Sequence, residues 1–290
     1  MSTMIRKVLL LSLALVLAFA LLGCAEEEET LTSAQIDQVM TGAMNALAEA
    51  ETYEFDMAAS MTMEVFGGTE PGTMSLSADG TGVIDRVNRE MQMTMDMTMS
   101  ASEEGEQEMS METYIYDEWV YMKMSIPEVG EQWMKTKLTP EMWATQQQIE
   151  QAMELLQTAT EVKFLGSEAV DGVNCYVFDI IPDVGKLIEY LSQQQGMQGV
   201  DLEDIENLEE LFENMSISTK AWIAEDSLFL TKSTAHMLMD VTPDDVGASS
   251  EDFDRATMDL STVMTVYSYN QPVSIELPAE ALEAPEIPMT

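Results

Sequence analysis

Positive charge is what this chain of 290 residues has least of: twelve Lys and Arg stand against 53 Asp and Glu, for a net charge of −41. Nucleic-acid recognition needs a basic footprint to meet the phosphates, and so few cations among so many acids cannot supply one. The same surplus repels anionic headgroups. The acids are scattered through every segment rather than collected in one tail, as expected of a surface built for solubility or a saline habitat. No D-x-D-x-D-G loop of EF-hand spacing is present, so the acidity implies no particular metal.

Histidine and cysteine are almost as scarce, with His236 alone and only Cys24 and Cys175. There is no H-E-x-x-H, no G-x-S-x-G elbow and no glycine-rich phosphate loop, so metal-dependent hydrolysis, serine nucleophilic catalysis and nucleotide binding have no motif to rest on. Carboxylate pairs abound, as 53 acids require, and none can be given acid and base roles on spacing alone. The sequence therefore predicts a protein with no catalytic residues, no cofactor and no metal. Two cysteines cannot make a disulfide framework, and Cys175, within the strand-like run Val173 to Ile181, reads as a small packed residue.

What is present begins with a leader. Arg6 and Lys7 precede the fifteen-residue apolar run Val8 to Leu22, and Leu21, Leu22, Gly23 and Cys24 form a lipobox. Fifteen residues fall short of the roughly 20 needed to span a bilayer, and a small residue before cysteine suits signal-peptide cleavage. Residues 1–23 are thus expected to be removed and Cys24 to carry the lipid. Two acyl chains at about 0.8 kcal/mol per methylene give the stable anchoring that a single chain does not. Loss of Arg6 and Lys7 takes the net charge from −41 to −43. Residues 24–31, with four consecutive glutamates, form an acidic spacer. The expected location is the cell membrane, lipid-anchored on the extracytoplasmic face.

A helix follows, with Thr32 and Gln35 placed for a capping box and Ile36, Met40, Ala43 and Leu47 on one face. The period then changes to two. Tyr53, Phe55, Met57, Ala59, Met61, Met63 and Val65 alternate with Glu54, Asp56, Ser60, Thr62 and Glu64, the pattern of a half-buried antiparallel strand. Met74 to Ile84, Met91 to Met99, Met109 to Tyr116, Trp119 to Met124 and Gln132 to Lys135 extend the meander. Thr139 and Pro140 open a second helix reaching toward Thr160. Val162 to Val170 and Asn174 to Ile181 flank an Asp171-Gly172 turn, and helical patterns cover Val184 to Leu191 and Leu202 to Phe212. Strands Ser216 to Ala224, Leu228 to Val241 and Ala256 to Tyr269 complete about eleven strands and four helices. This is an α+β pattern, a strongly curved antiparallel sheet with helices covering one face. Residues 32–278 read as one domain and 279–290 as a flexible tail.

Methionine, 27 of 290 residues, marks the apolar face of several successive strands. It has three rotatable bonds and a polarizable sulfur, so it suits surfaces that accept variable apolar ligands better than it suits unique cores. Met57, Met61, Met63, Met74, Met91, Met93, Met95, Met97 and Met111 are therefore the candidate ligand-binding residues, facing acyl chains. Alternatively the same face packs fully beneath the helices, leaving an interaction or sensor module whose acidic outer face docks a partner. Thioethers also suit Cu(I), but along one strand they stand roughly 7 Å apart, and one strand alone would struggle to surround an ion.

Asp171-Gly172-Val173-Asn174-Cys175-Tyr176-Val177 and Trp222-Ile223-Ala224-Glu225-Asp226-Ser227-Leu228-Phe229-Leu230-Thr231-Lys232, with the lipobox, acidic spacer and long meander, resemble the LppX and LprG type lipoproteins and the related LolA, LolB and RseB superfamily. The resemblance implies a half-barrel of about eleven antiparallel strands, with helices on the concave face closing a hydrophobic cavity for acyl chains. It also implies lipids or lipidated cargo as partners and transfer to another envelope component. Carried over by position, Trp222 begins a hairpin on the later part of the sheet and joins the candidate ligand-binding residues.

Overall fold

The computed structural model describes residues 30–68, 71–102, 105–127, 130–145, 159–183, 215–246 and 253–287. The leader, Cys24, most of the Thr139–Thr160 helix and the two helical patterns between 184 and 212 lie outside the described residues.

Helix α1 (Ser33–Ala48) starts where the capping box predicts. The Gln35 backbone N–H donates to Thr32 Oγ1 at 3.4 Å and the Thr32 N–H to Gln35 Oε1 at 3.0 Å, satisfying two groups the helix cannot pair itself. Its last turn carries no cation of its own. Arg86, from a turn elsewhere in the fold, supplies one: its guanidinium donates to the carbonyls of Leu47 at 2.8 Å and Ala50 at 3.0 Å, placing positive charge at the negative end of the helix dipole.

Eleven strands follow: β1 (Thr52–Phe66), β2 (Gly72–Asp85), β3 (Glu90–Ala101), β4 (Gly105–Tyr116), β5 (Trp119–Ile126), β6 (Gly130–Lys137), β7 (Ala159–Val170), β8 (Val173–Pro182), β9 (Met215–Ala224), β10 (Leu230–Val241) and β11 (Arg255–Tyr267). A short helix α2 (Pro140–Thr145) precedes β7, and α3 (Ala279–Leu282) follows the last strand. All eleven form one open antiparallel sheet in the order β6-β5-β4-β3-β2-β1-β11-β10-β9-β8-β7. The sheet is two meanders, joined where the first strand pairs with the last over thirteen residues, Glu54↔Tyr267 to Phe66↔Arg255. The Asp171-Gly172 turn is confirmed, with both residues at positive φ, 49° and 85°, as a two-residue hairpin of matching twist requires.

The core lies where α1 packs on one face of the sheet. Met40, Ala43 and Leu47 meet Tyr53, Phe55, Ile84, Met91, Ile115, Val120, Phe178, Ile180, Ile223, Leu230 and Val266, all buried. Tyr269 closes this end. Its hydroxyl donates to the Leu230 carbonyl at 2.8 Å and its ring stacks on Phe229 at 4.1 Å; burial pushes its phenol far above the ordinary value, with a smaller contribution from Tyr53.

The opposite face carries two smaller clusters. Cys175, Val177 and Trp222 bury one another, and burial pushes the Cys175 thiol up from its ordinary value, as befits a packed residue and not a nucleophile. Tyr114 and Tyr121 are covered by Ile275 and Ala281. The expectation of a flexible tail from 279 onward is therefore corrected up to Ile287. Ala281 and Ala284 are buried, and the segment pairs with the free edge of β6: the Lys135 N–H donates to the Pro285 carbonyl at 3.0 Å and the Ile287 N–H to the Lys135 carbonyl at 2.9 Å. An unpaired edge would invite association with other strands, and here the protein's own C-terminal segment occupies it.

Candidate functional site: a neutral, methionine-lined sheet face

Side chains alternate between the two faces of a sheet, and directly paired residues of neighbouring antiparallel strands share a face. The registers can therefore be followed from strand to strand. Every methionine on the eleven strands falls on the face that carries the core. The candidates Met57, Met61, Met63, Met74, Met91, Met93, Met95, Met97 and Met111 are all brought to it. Trp222 is not. It pairs with Val177, while its neighbour Ala221 pairs with Phe178 and, on the other side, with Ser233, which leads back to Met264 and Met57. Trp222 thus stands on the opposite face, where its indole N–H donates to Glu168 at 3.0 Å and Lys232 lies 4.7 Å from its ring centroid. This corrects its assignment to the ligand-binding set.

The registers also show what the sequence pattern conceals. Met74, Met63, Met258, Met239 and Met215 stand at one level on five adjacent strands, β2, β1, β11, β10 and β9. A second level holds Met95, Met111 and Met124 on β3, β4 and β5, and Met57 and Met264 on β1 and β11, with Gly80 between the two groups. Met99, Met109, Met122, Met124, Met134, Met215, Met237, Met239, Met258 and Met264 stand on the same face but are not among the candidates. The signal that finds them is the same alternation, seen for example in Ala235, Met237, Met239, Val241, in Met258, Leu260, Thr262, Met264 and in Met122, Met124, Ile126.

Charge is partitioned just as sharply. Among the paired positions of the eleven strands, none on the methionine face is Asp, Glu, Lys, Arg or His; besides apolar residues it holds Gly, Ser, Thr, Pro, Tyr, Gln107, Gln132 and Asn174. In a chain of net charge −41 this exclusion has a physical reason: an ion on a partly buried apolar face loses hydration it cannot recover. The consequence is chemical. The paired strand positions of this face carry no carboxylate, imidazole, amine or thiol, and what its methionines can do is bury apolar surface or donate soft sulfur lone pairs.

Exposure divides the face in two. Met91 (1%) and Met93 (7%) are part of the core beside α1, so these two candidates are occupied by packing and are not open to a ligand. Met61, Met63, Met74, Met97, Met99, Met109, Met215, Met237, Met239 and Met258 are half-buried and belong to no core cluster of the described residues. Two open grooves run along the opposite face. One, of about 560 Å³, is lined mainly by Asp96, Thr98, Glu108, Ser110, Ser125 and Glu131; another, of about 520 Å³, by Thr62, Glu64, Ser216, Leu238, Asp240 and Asp259, so both belong to the charged face and not to the methionines. Arg255 and Asp240 form an ion pair that holds the Asp240 carboxyl below its usual range. Among the described residues no group of three or more His, Cys, Asp or Glu could hold a metal ion, and no helix is long and apolar enough to cross a membrane.

An open antiparallel sheet of eleven strands with one neutral, sulfur-rich face defines the class. The chain belongs to DUF6612, a family described as of unknown function, whose model matches residues 35–286. No curated protein matches it in sequence. Among solved structures it is similar to the lipoprotein LppX of Mycobacterium tuberculosis, at 12% identity over 84% of this chain and 100% of that one, with a TM-score of 0.41. LprF from Mycobacterium bovis matches at 12% identity over 85% and 98%, with a TM-score of 0.44. A LolA-superfamily protein from Nitrosomonas europaea matches at 9% identity over 87% and 97%, with a TM-score of 0.19. At such values the likeness is one of layout, and the functional reading rests on this chain's own residues.

Proposed function

We propose that this protein is a lipid-anchored, extracytoplasmic and non-catalytic binder of acyl chains or lipidated cargo. In this reading the sheet curls into a half-barrel with helices over its concave face, and the half-buried methionines Met57, Met61, Met63, Met74, Met95, Met97 and Met111, with those of β9, β10 and β11, meet the apolar chains. Cys24 carries the anchor, and an envelope protein receives the cargo.

The observation that carries the reading is the exclusion of charge from the paired strand positions of one face, among the described residues of a highly acidic protein, combined with the choice of methionine there. A purely structural core gains from Leu, Ile and Val, whose rotamers are few. Methionine adapts to partners of differing shape. An acyl chain laid against such a face gains about 25 cal/mol for each Å² removed from water, with no fixed hydrogen bond demanded of it.

The test is chemical. Protein purified from its native membrane without delipidation, and analysed by native mass spectrometry, is expected to carry acyl lipid in near-stoichiometric amount and, once stripped, to take up fluorescent fatty acids. Absence of both contradicts the reading and favours a packed module that docks a protein partner.

A further inference from the structure

We infer that the methionine row at the level of Met63 is a binding site for a soft monovalent cation of the Cu(I) class, held by thioethers of three adjacent strands. The proposal goes beyond acyl-chain binding and does not depend on it. Along one strand the sulfurs of alternate residues are too far apart, roughly 7 Å. Across the sheet this obstacle vanishes. Met63 on β1 is paired directly with Met258 on β11, and Met258 directly with Met239 on β10, and directly opposed residues place their Cβ atoms about 4.5–5.5 Å apart. Three-bond flexible side chains rooted at that spacing can turn their sulfurs toward one point above Met258. Met74 and Met215 extend the row on either side.

Three further features favour a soft cation. Thioethers are neutral, polarizable donors that select Cu(I) over the harder divalent ions. The row sits on a face with no carboxylate or imidazole in register, so no hard donor competes within it. None of the row's methionines packs in a core cluster of the described residues, and all are only half-buried. Burial alone would be served by leucine at every one of these positions; methionine adds flexibility, which acyl chains would use, and a soft sulfur donor, which a cation would use.

The experiment uses the full chain with Cys24→Ser, which removes that thiol as a ligand, and compares it with the same chain bearing Met63→Leu, Met258→Leu and Met239→Leu. Cu(I), kept reduced and free of oxygen, is offered against a coloured Cu(I) chelator, and Ag(I) serves as an air-stable probe while methionine ε-methyl groups are followed by NMR. The parent is expected to withdraw copper from the chelator, with methyl shifts confined to the row, and the triple variant to lose at least tenfold in affinity at unchanged thermal stability. Cys175, buried on the other face, is common to both chains and cannot produce the difference. A parent that leaves all copper with the chelator, or a triple variant that binds as well as the parent, overturns the inference. Fatty-acid uptake by the parent separates the two readings: copper binding in a protein that rejects acyl chains sustains this inference and removes the other.

Discussion

The Phe55 ring lies over Gly82, the residue paired with it on β2, and occupies the space that a β-carbon there would take. Gly82 is not at a turn and its backbone is ordinary strand. Its lack of a side chain is what lets a large aromatic ring, 4% exposed, reach the core against Tyr53. Gly82→Ala is therefore expected to push the ring from its place and to destabilise the fold by about 1–3 kcal/mol, the usual range for overpacking. Denaturant unfolding measures it; a variant as stable as the parent would contradict this account of the core.

Glu90 at the start of β3 is paired directly with Asp85 at the end of β2. Burial first, then Asp85 and Asp117, raise its carboxyl above the ordinary value. A carboxylic acid with a raised folded pKa binds its proton more tightly in the folded state, so the folded state gains as pH falls through that raised range and is penalised above it. Glu90→Gln should stabilise the protein at pH 7 by a few tenths to about 1 kcal/mol, the scale of like charges placed opposite each other. The advantage should disappear on acidification below the carboxylate range. An equal difference at pH 4 and pH 7, in unfolding curves measured side by side, would show that charge is not the cause.

The C-terminal segment covers Tyr114 and Tyr121 with Ile275 and Ala281 and pairs Pro285 and Ile287 with Lys135 of β6. Removing residues 271–290 uncovers an aromatic surface and bares the β6 edge together. The truncated chain is expected to be less stable and to self-associate in a concentration-dependent way, as exposed edges do. Sedimentation velocity distinguishes this from a chain that stays monomeric, which would mean that the edge needs no cover.

Much of this fold was legible from local pattern. The strand count, the capping box on Thr32 and the Asp171-Gly172 hairpin follow from periodicity and turn chemistry, properties of neighbouring residues. What the pattern could not convey was anything requiring two distant segments to be aligned. Alternation says that Trp222 and Ile223 face opposite ways, but which of them joins the methionines depends on the registers of β9 with β8 and β10. The tail from 279 onward is rich in Glu and Pro and reads as loose; its burial depends on β4, β5 and β6 offering Tyr114, Tyr121 and a free edge. The level shared by Met63, Met258 and Met239 joins residues almost two hundred positions apart in sequence, and no spacing rule reaches that far.

Cross-linking tests the central claim most directly. The intact protein, incubated with a fatty acid bearing a diazirine near the end of its chain and irradiated, can be digested and its labelled residues located by mass spectrometry. Labels are expected on the half-buried methionine face, around Met61 and Met63 of β1, Met97 of β3, Met239 of β10 and Met258 of β11, and competed away by unlabelled fatty acid. Labels confined to the acidic face, or none that unlabelled fatty acid competes away, would contradict the proposal that the methionine face receives acyl chains.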